Sequence, residues 1–492
     1  MESQLGSSVP WSNTRGPLGV SERHPMQERF KTIPALAMLL LASPVVWGGD
    51  QHAPMTISMS LDGDRKYQTI DGFGVCEAFH QARHIMEYPE PARTEILDLL
   101  FSTERGAGVS ILRNIVGDGG TWGDDIDGPT PTIQPQEGVW NWTGDEDQIW
   151  LMRQAKGYGC TNFFSTVWSP PGWMKTSNAV DGGGSLRPDK YEAYANYLSC
   201  YLREYQERHS LTISSISLQN EPDLVTKYSS CTWTGAQFRD FIRDHLIATF
   251  QRDAITAKIV LGESSNFGEK HVEESLNDPS TAEAVDIVAT HAYDDKFPDK
   301  VKPLPLAKQH GKRIWMTEVS YFGVSDPTIK DGLQWAKLMH DHLTVSEVNA
   351  WFYWWGACYK PNGESLIPLD VKNRTYSTTK RLFTFSNFSR FVRPGFVRLD
   401  CASAPVSGVN VSAFRNGDKN SLVVVAINSG DASQEIEYRL EGCEITSLTP
   451  YRTSATEDLA RLESISSLKV TLPAQSVTTF VASQVKPIAK AH

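Results

Sequence analysis

Between residues 70 and 385 the chain repeats one alternation, and this constrains its fold more than any other feature. Short β-rich apolar runs are each followed by an amphipathic stretch or a long loop. The runs are IDGFG (70–74), GVSILRNIV (108–116), TNFFSTVW (161–168), ISSISLQN (213–220), AKIVLGES (257–264), VDIVATHAY (285–293), KRIWMTEVS (312–320) and VNAWFYWWG (348–356). Parallel strands need crossover connections of a dozen or more residues, which is the spacing seen here. The clearest crossover, PDKYEAYANYLSCYLREYQERHS, sets Tyr191, Tyr194, Ala195, Leu198 and Leu202 on one helical face. Eight such units predict an α/β fold, a (β/α)8 TIM barrel over residues 70–388. An open doubly wound sheet is the alternative, but no glycine-rich nucleotide turn follows the first run.

After residue 390 the pattern changes to short alternating strands joined by Gly, Asn and Asp turns, as in VSAFRNGDKNSLVVVAINSG and SLKVTLPAQSVTTFVAS. This predicts a small β-sandwich side domain over 389–486, with a strand within 51–69 lent to it from the other end of the chain. Residues 1–50 read as a targeting segment: IPALAMLLLASPVVWGG (33–49) is apolar, follows Arg29 and Lys31, and is short for a membrane span. Met26 is an alternative start. Secretion is therefore expected, with no membrane span. Sequons at Asn141, Asn373, Asn387 and Asn410 and seven cysteines fit that compartment, and Cys401 with Cys443 is one plausible pair. A net charge of −11 argues against nucleic acid as a partner.

A TIM barrel carries its site at the C-terminal ends of its strands. Two carboxylates stand there: Glu221 in LQNEP after the fourth run and Glu318 in WMTE at the seventh. No Ser-His-Asp order, thiol–His pair or metal-ligand spacing competes with them, and no cofactor or metal is expected. Two carboxyls facing across a cleft suit glycoside hydrolysis, one protonating the leaving oxygen and the other attacking the sugar or activating water. Asn220 is placed to bond a sugar hydroxyl. Trp168, Trp173, Trp354 and Trp355 offer flat apolar faces to pyranose rings, although alternation lets only some tryptophans of the eighth run face the mouth. Arg113 and Asn114 orient Glu318 or bind substrate, His291 is a hydrogen-bonding neighbour, and Tyr293 is within reach of Glu318. Glu77 reads as a helix-start residue. The competing reading makes Glu221 and Glu318 structural ion-pair partners.

In order along the chain, IDGFG, ILRN, WSPPGWMKT, SLQNEPD, IWMTE and FSRFVRPG resemble glycoside hydrolase family 30, over about residues 66 to 480. The resemblance implies a barrel with a fused β-sandwich and retention of anomeric configuration. It places the acid/base on Glu221 and the nucleophile on Glu318. WSPPGWMKTSNAV, GGGSL and NEPDLVTKYSSCTW are most similar to the xylanase and glucuronoxylanase branches, which implies a polysaccharide substrate, xylan, cut by endo-β-1,4-xylanase action in a monomer. Some members of those branches grip a glucuronic acid branch of xylan with an arginine. Here Gln81 falls nearest one such place, with Arg83 two residues on, and only Lys360 follows the eighth run. A β-1,6-galactan, β-1,6-glucan or glucosylceramide-like substrate remains open, as does a non-catalytic carbohydrate-binding role.

Overall fold

The computed structural model describes residues 55–60, 67–121, 128–294, 300–360, 362–418, 420–483 and 485–487. The targeting segment, with Met26 and the apolar stretch 33–49, lies outside the described residues. Eight parallel strands close into a barrel: β1 (Gly72–Cys76), β2 (Ile111–Val116), β3 (Asn162–Val167), β4 (Ile213–Ser217), β5 (Lys258–Ser264), β6 (Val285–His291), β7 (Arg313–Glu318) and β8 (Ala350–Cys358). Closure is made by Ala350 of β8, which pairs with Trp315 of β7 on one side and Gly72 of β1 on the other. The fourth strand is shorter than the run that predicts it, ending at Ser217. Its exit is still fixed by main-chain bonds to both neighbours, Asn220 N–H to the Val167 carbonyl (2.7 Å) and Glu221 N–H to the Glu263 carbonyl (3.0 Å). Pro222 therefore follows a segment already turned by its neighbours and does not itself end the strand.

Period-two alternation fills the barrel in layers. Ile111, Phe164, Val260, Ile287, Ala289, Trp315, Ala350 and Phe352 form an apolar plug. The Phe164 ring meets Trp315 edge-on at 5.5 Å and Phe352 at 5.9 Å. Gly74 is required beside them, because a Cβ there would lie 2.2 Å from the Phe352 ring. Two residues beyond Ile111 and Ala289, on the same inward face, come Arg113 and His291. The plug is thus capped by a polar layer at the strands' C-terminal ends.

The side domain has a six-stranded sheet containing Val409–Arg415, Ser421–Asn428, Ser476–Ser483 and Thr449–Thr453. Opposite it is a three-stranded sheet in which Met55–Ser60 runs parallel to Gln434–Glu441. The barrel helix Lys380–Ser389 joins the two domains through Asn387. Its amide donates to the Tyr451 carbonyl (3.1 Å) and Thr479 Oγ1 (2.9 Å), while Thr479 donates back to the Asn387 carbonyl. Two of the four sequons lie inside the fold: Asn387 is wholly buried in an interdomain contact and Asn410 is buried in a strand, whereas Asn141 and Asn373 are exposed. Cys76, Cys160, Cys200, Cys231, Cys358 and Cys401 are free thiols, so the Cys401–Cys443 bridge is not formed. Among the described residues no helix is long and apolar enough to cross a membrane.

The layered interior makes a stability prediction. Phe352→Ala should lower the unfolding free energy by about 3–5 kcal/mol, read as a lower urea midpoint at unchanged slope. A loss under about 1 kcal/mol would mean that the plug is not close-packed.

Candidate active site

The polar layer is organised by one fully buried cation. The Arg113 guanidinium, from the middle of β2, has no exposed surface. It donates from Nη1 to Glu318 Oε2 (2.5 Å), from Nη2 to Asn220 Oδ1 (2.8 Å) and to Glu263 Oε1 (3.0 Å), and from Nε to Thr166 Oγ1 (3.1 Å). Its partners come from β3, the β4 exit, β5 and β7. Its plane lies over Trp168, with 4.6 Å to the ring centroid, and Trp354 flanks it at 5.7 Å. Burial favours loss of the proton, but the charges of Glu263 and Glu318 outweigh it and hold the guanidinium strongly protonated.

Glu318 also accepts from the Tyr293 hydroxyl at 3.0 Å, through Oε1. Burial and the charge of Glu318 keep that phenol well above its usual pKa, so it is neutral and donates. His291 joins the two carboxylates. Its Nδ1 lies 3.2 Å from Glu221 Oε1, and its Nε2 lies 3.7 Å from Glu263 and 3.9 Å from Glu318. Burial alone would lower the imidazole; the charge of Glu318 and the neighbouring carboxylates of Glu221 and Glu263 raise it instead, to about 10. His291 is therefore an imidazolium near neutral pH and donates to Glu221. Glu318 feels burial first, which leaves its carboxyl above the ordinary value despite the opposing His291 and Arg113.

One ligand atom each from Glu221, His291 and Glu318 can be chosen within 4.8 Å of one another. That spacing alone also suits a metal. The charges do not: a guanidinium already sits on Glu318, and the imidazole carries its own proton. Two carboxyls at this separation, one gripped by an arginine and a tyrosine and the other by an imidazolium, suit proton transfer and nucleophilic attack at a single carbon.

Several expected substrate contacts turn out to have other places. Asn114 shares the parity of Leu112, not of Arg113 and Ile115, so it points away from the mouth; its amide nitrogen is buried without a hydrogen bond among the described residues. Arg113 and His291 are wholly buried and touch the carboxylates. Trp168, Trp354 and Trp355 are 1%, 2% and 0% exposed; the first two wall in the guanidinium, and none offers an open platform for a sugar. A register shift in β8 between Tyr353 and Trp355 breaks the alternation. It is why adjacent Trp354 and Trp355 share one cluster, their rings stacked at 4.9 Å. Trp173, half-buried, donates its indole N–H to the Gln134 carbonyl. Glu77 is no helix-start residue: it is buried and accepts from the Ala357 N–H at 2.8 Å. Gln81 is buried, and Arg83 lies against His80 and Asp147.

Three residues escaped the sequence reading. Glu263 carried a legible signal, a third carboxylate at a strand end. Tyr228 did not; its ring meets Phe79 edge-on at 6.5 Å, and burial and then the charges of Glu221 and Glu318 raise its phenol. Phe322, just past β7, is 58% exposed and stacks on Tyr293 at 5.4 Å, offering the open aromatic face that the tryptophans do not.

The barrel matches the model for glycosyl hydrolase family 59 over residues 70–362, and the sandwich matches that for the glycosyl hydrolase family 30 β-sandwich domain over 395–480. The chain is 31% identical over 333 residues to a glucuronoxylanase, XynC, of Bacillus subtilis, covering 65% of this chain and 73% of that one. A crystal structure of a glycoside hydrolase family 30 subfamily 8 xylanase from Clostridium acetobutylicum superposes with a TM-score of 0.72 at 30% identity, over 87% of this chain and 99% of that one. An endo-β-1,6-galactanase of Hypocrea rufa is 24% identical over 442 residues, covering 82% of this chain and 86% of that one.

The buried cation predicts how the fold depends on pH. Arg113→Met leaves Glu263 and Glu318 with only the more distant His291 as counter-charge, at a loss of about 3–5 kcal/mol near neutrality. Both carboxyls then have folded-state pKa values raised above the unfolded ones. That contribution favours the folded state at low pH and is lost as pH rises. The gap in melting temperature between parent and variant should therefore be wider at pH 7.5 than at pH 5, on scans at both values; a gap independent of pH contradicts the assignment.

Proposed function

The chain belongs to glycoside hydrolase family 30, and from that premise we propose that it is a retaining endo-β-1,4-xylanase in which Glu318 is the nucleophile and Glu221 the acid/base. The observation that carries the mechanism is the placement of these two carboxyls across one mouth, with an oxygen of each within 4.8 Å of the other. Retaining enzymes hold their carboxyls about 5–5.5 Å apart, whereas inverting ones need about 6.5–9.5 Å to admit a water. In the first step a Glu318 oxygen bonds to the anomeric carbon while Glu221 gives its proton to the departing glycosidic oxygen. In the second, Glu221 takes a proton from water, the water oxygen bonds to the same carbon, and Glu318 leaves as a carboxylate. The His291 bond occupies Oε1 of Glu221, so the other oxygen is the one directed to the leaving group. Arg113 and Tyr293 hold Glu318 in place for attack.

Xylan is favoured by the similarity to the two xylan-cleaving proteins. The similarity to the galactanase supports a second reading, the same chemistry on a β-1,6-linked polymer. A polymer substrate fits an exported enzyme, and in this reading the segment 33–49 supplies the export signal.

Glucuronoxylan, unbranched xylan, β-1,6-galactan and β-1,6-glucan, assayed side by side for reducing ends, decide the substrate; turnover of a β-1,6-linked polymer with none of either xylan overturns the first reading. Proton NMR of the first product separates the mechanisms: the β-anomer forms first under retention, and an α-anomer contradicts it. Glu318→Gln and Glu221→Gln should each lower kcat roughly 10⁴-fold or more on xylan, and parent-like turnover in either removes that residue from the chemistry. Because attack needs an ionised Glu318 with a raised pKa, kcat/KM should begin to fall, on acidification, at a pH above the ordinary glutamate value. An acid limb at or below that value contradicts the role.

A further inference from the structure

Three glutamates, not two, meet the buried cations, and the proposed reaction uses only Glu221 and Glu318. Glu263 ends β5 one layer beneath the mouth, with no exposed surface. Its Oε1 accepts from Arg113 Nη2 at 3.0 Å and lies 3.7 Å from His291 Nε2. Its main-chain carbonyl accepts the N–H of Glu221 at 3.0 Å. Both residues of that backbone bond stand in the left-handed region, Glu221 at φ 44° and Glu263 at φ 49°. Non-glycine residues adopt such a conformation at a cost, and persist in it where the surroundings over-determine them, typically at functional sites.

We propose that Glu263 is a positioning residue for the hydrolysis: it holds Arg113 and His291 against Glu318 and Glu221 and supplies the one negative charge in the network that the reaction never consumes. The inference rests on the double-displacement reading. When Glu318 becomes a glycosyl ester it loses its charge, and Arg113 and His291 each lose a charged partner at that moment. Glu263 does not react, so both cations stay where the second step needs them. Burial works to raise its carboxyl, yet Arg113 and then His291 hold it down to about 2, so it remains ionised throughout.

The charged and titratable neighbours are known from every side. Arg113 faces Glu263 from β2, Ser217 from β4 and His291 from β6. His291 is faced in turn by Glu221 and Glu318, and Cys76 of β1 lies near Arg113 and Glu318. Removing a fixed negative charge from this set lowers the pKa of each of the other groups.

The test is the pH dependence of kcat and KM on the glycan that the parent cleaves best, for full-length parent, Glu263→Gln and Glu263→Asp. Glu263→Gln should lower kcat by about tenfold or more with KM within about threefold. Both limbs of its pH profile should move to lower pH, by about one unit. Glu263→Asp keeps the charge on a shorter stem, so its limbs should stay at the parent's values while kcat falls. A merely structural glutamate would lower the melting temperature and leave the limbs in place. A folded Glu263→Gln with the parent's profile and kcat overturns the proposal. Should Glu263→Gln fail to fold, Glu263→Asp decides alone, and parent-like kcat overturns it. A parent that turns over no glycan defeats the double-displacement reading itself, whereas an active parent with an indifferent Glu263 defeats only this inference.

Discussion

A guanidinium with no access to water must find its acceptors inside the protein. Arg113 finds them on β3, β5, β7 and the β4 exit, and the arrangement of the polar layer follows from that. Removing one partner from a buried pair leaves a desolvated charge, which is far worse than never burying the pair. The chain therefore tolerates few alternatives at Glu318, Glu263, Asn220 or Thr166. Trp168 and Trp354 exclude water from the cation's faces, which strengthens each of its bonds. His291 repeats the device on the other side: buried, charged, and placed among Glu221, Glu263 and Glu318.

The barrel makes this possible because its interior is layered. An apolar plug occupies the lower layer, and alternation lifts Arg113 and His291 onto the layer above without a change of strand direction. Closure at β8 brings the ends of distant strands together, so that residues far apart in sequence share one buried network. The side domain is attached to the outer helix Lys380–Ser389 through Asn387.

Much of the fold was legible because period and spacing carry it. Eight apolar runs separated by crossovers admit few closed topologies, and the two carboxylates were found by reading only the strand ends. What was not legible depended on side-chain direction near those ends. Asn114 adjoins Arg113 in sequence, yet one residue is enough to turn a side chain to the other face. Chemistry alone makes the tryptophans sugar platforms; the burial of Trp168 and Trp354 beside a guanidinium is a three-dimensional fact, and the shift in β8 cannot be seen in VNAWFYWWG. Glu263 stands in plain view at the end of AKIVLGES, but a two-carboxylate mechanism asks for no third. Phe322 lies past the end of β7, on a short strand, Tyr321–Val324, that pairs antiparallel with Asn362–Gly363 and that no apolar run announces.

The central claim is that Glu318, held by Arg113 and Tyr293, forms a covalent bond to the sugar. The direct measurement is mass spectrometry of the protein after incubation with a 2-deoxy-2-fluoro-xylobioside bearing a good leaving group, a substrate that forms the glycosyl ester and releases it slowly. The account predicts one added disaccharide, located on the peptide containing Glu318 and absent from Glu318→Gln. A label on Glu221 or Glu263, or turnover of xylan by a protein that never accumulates the adduct, would contradict it.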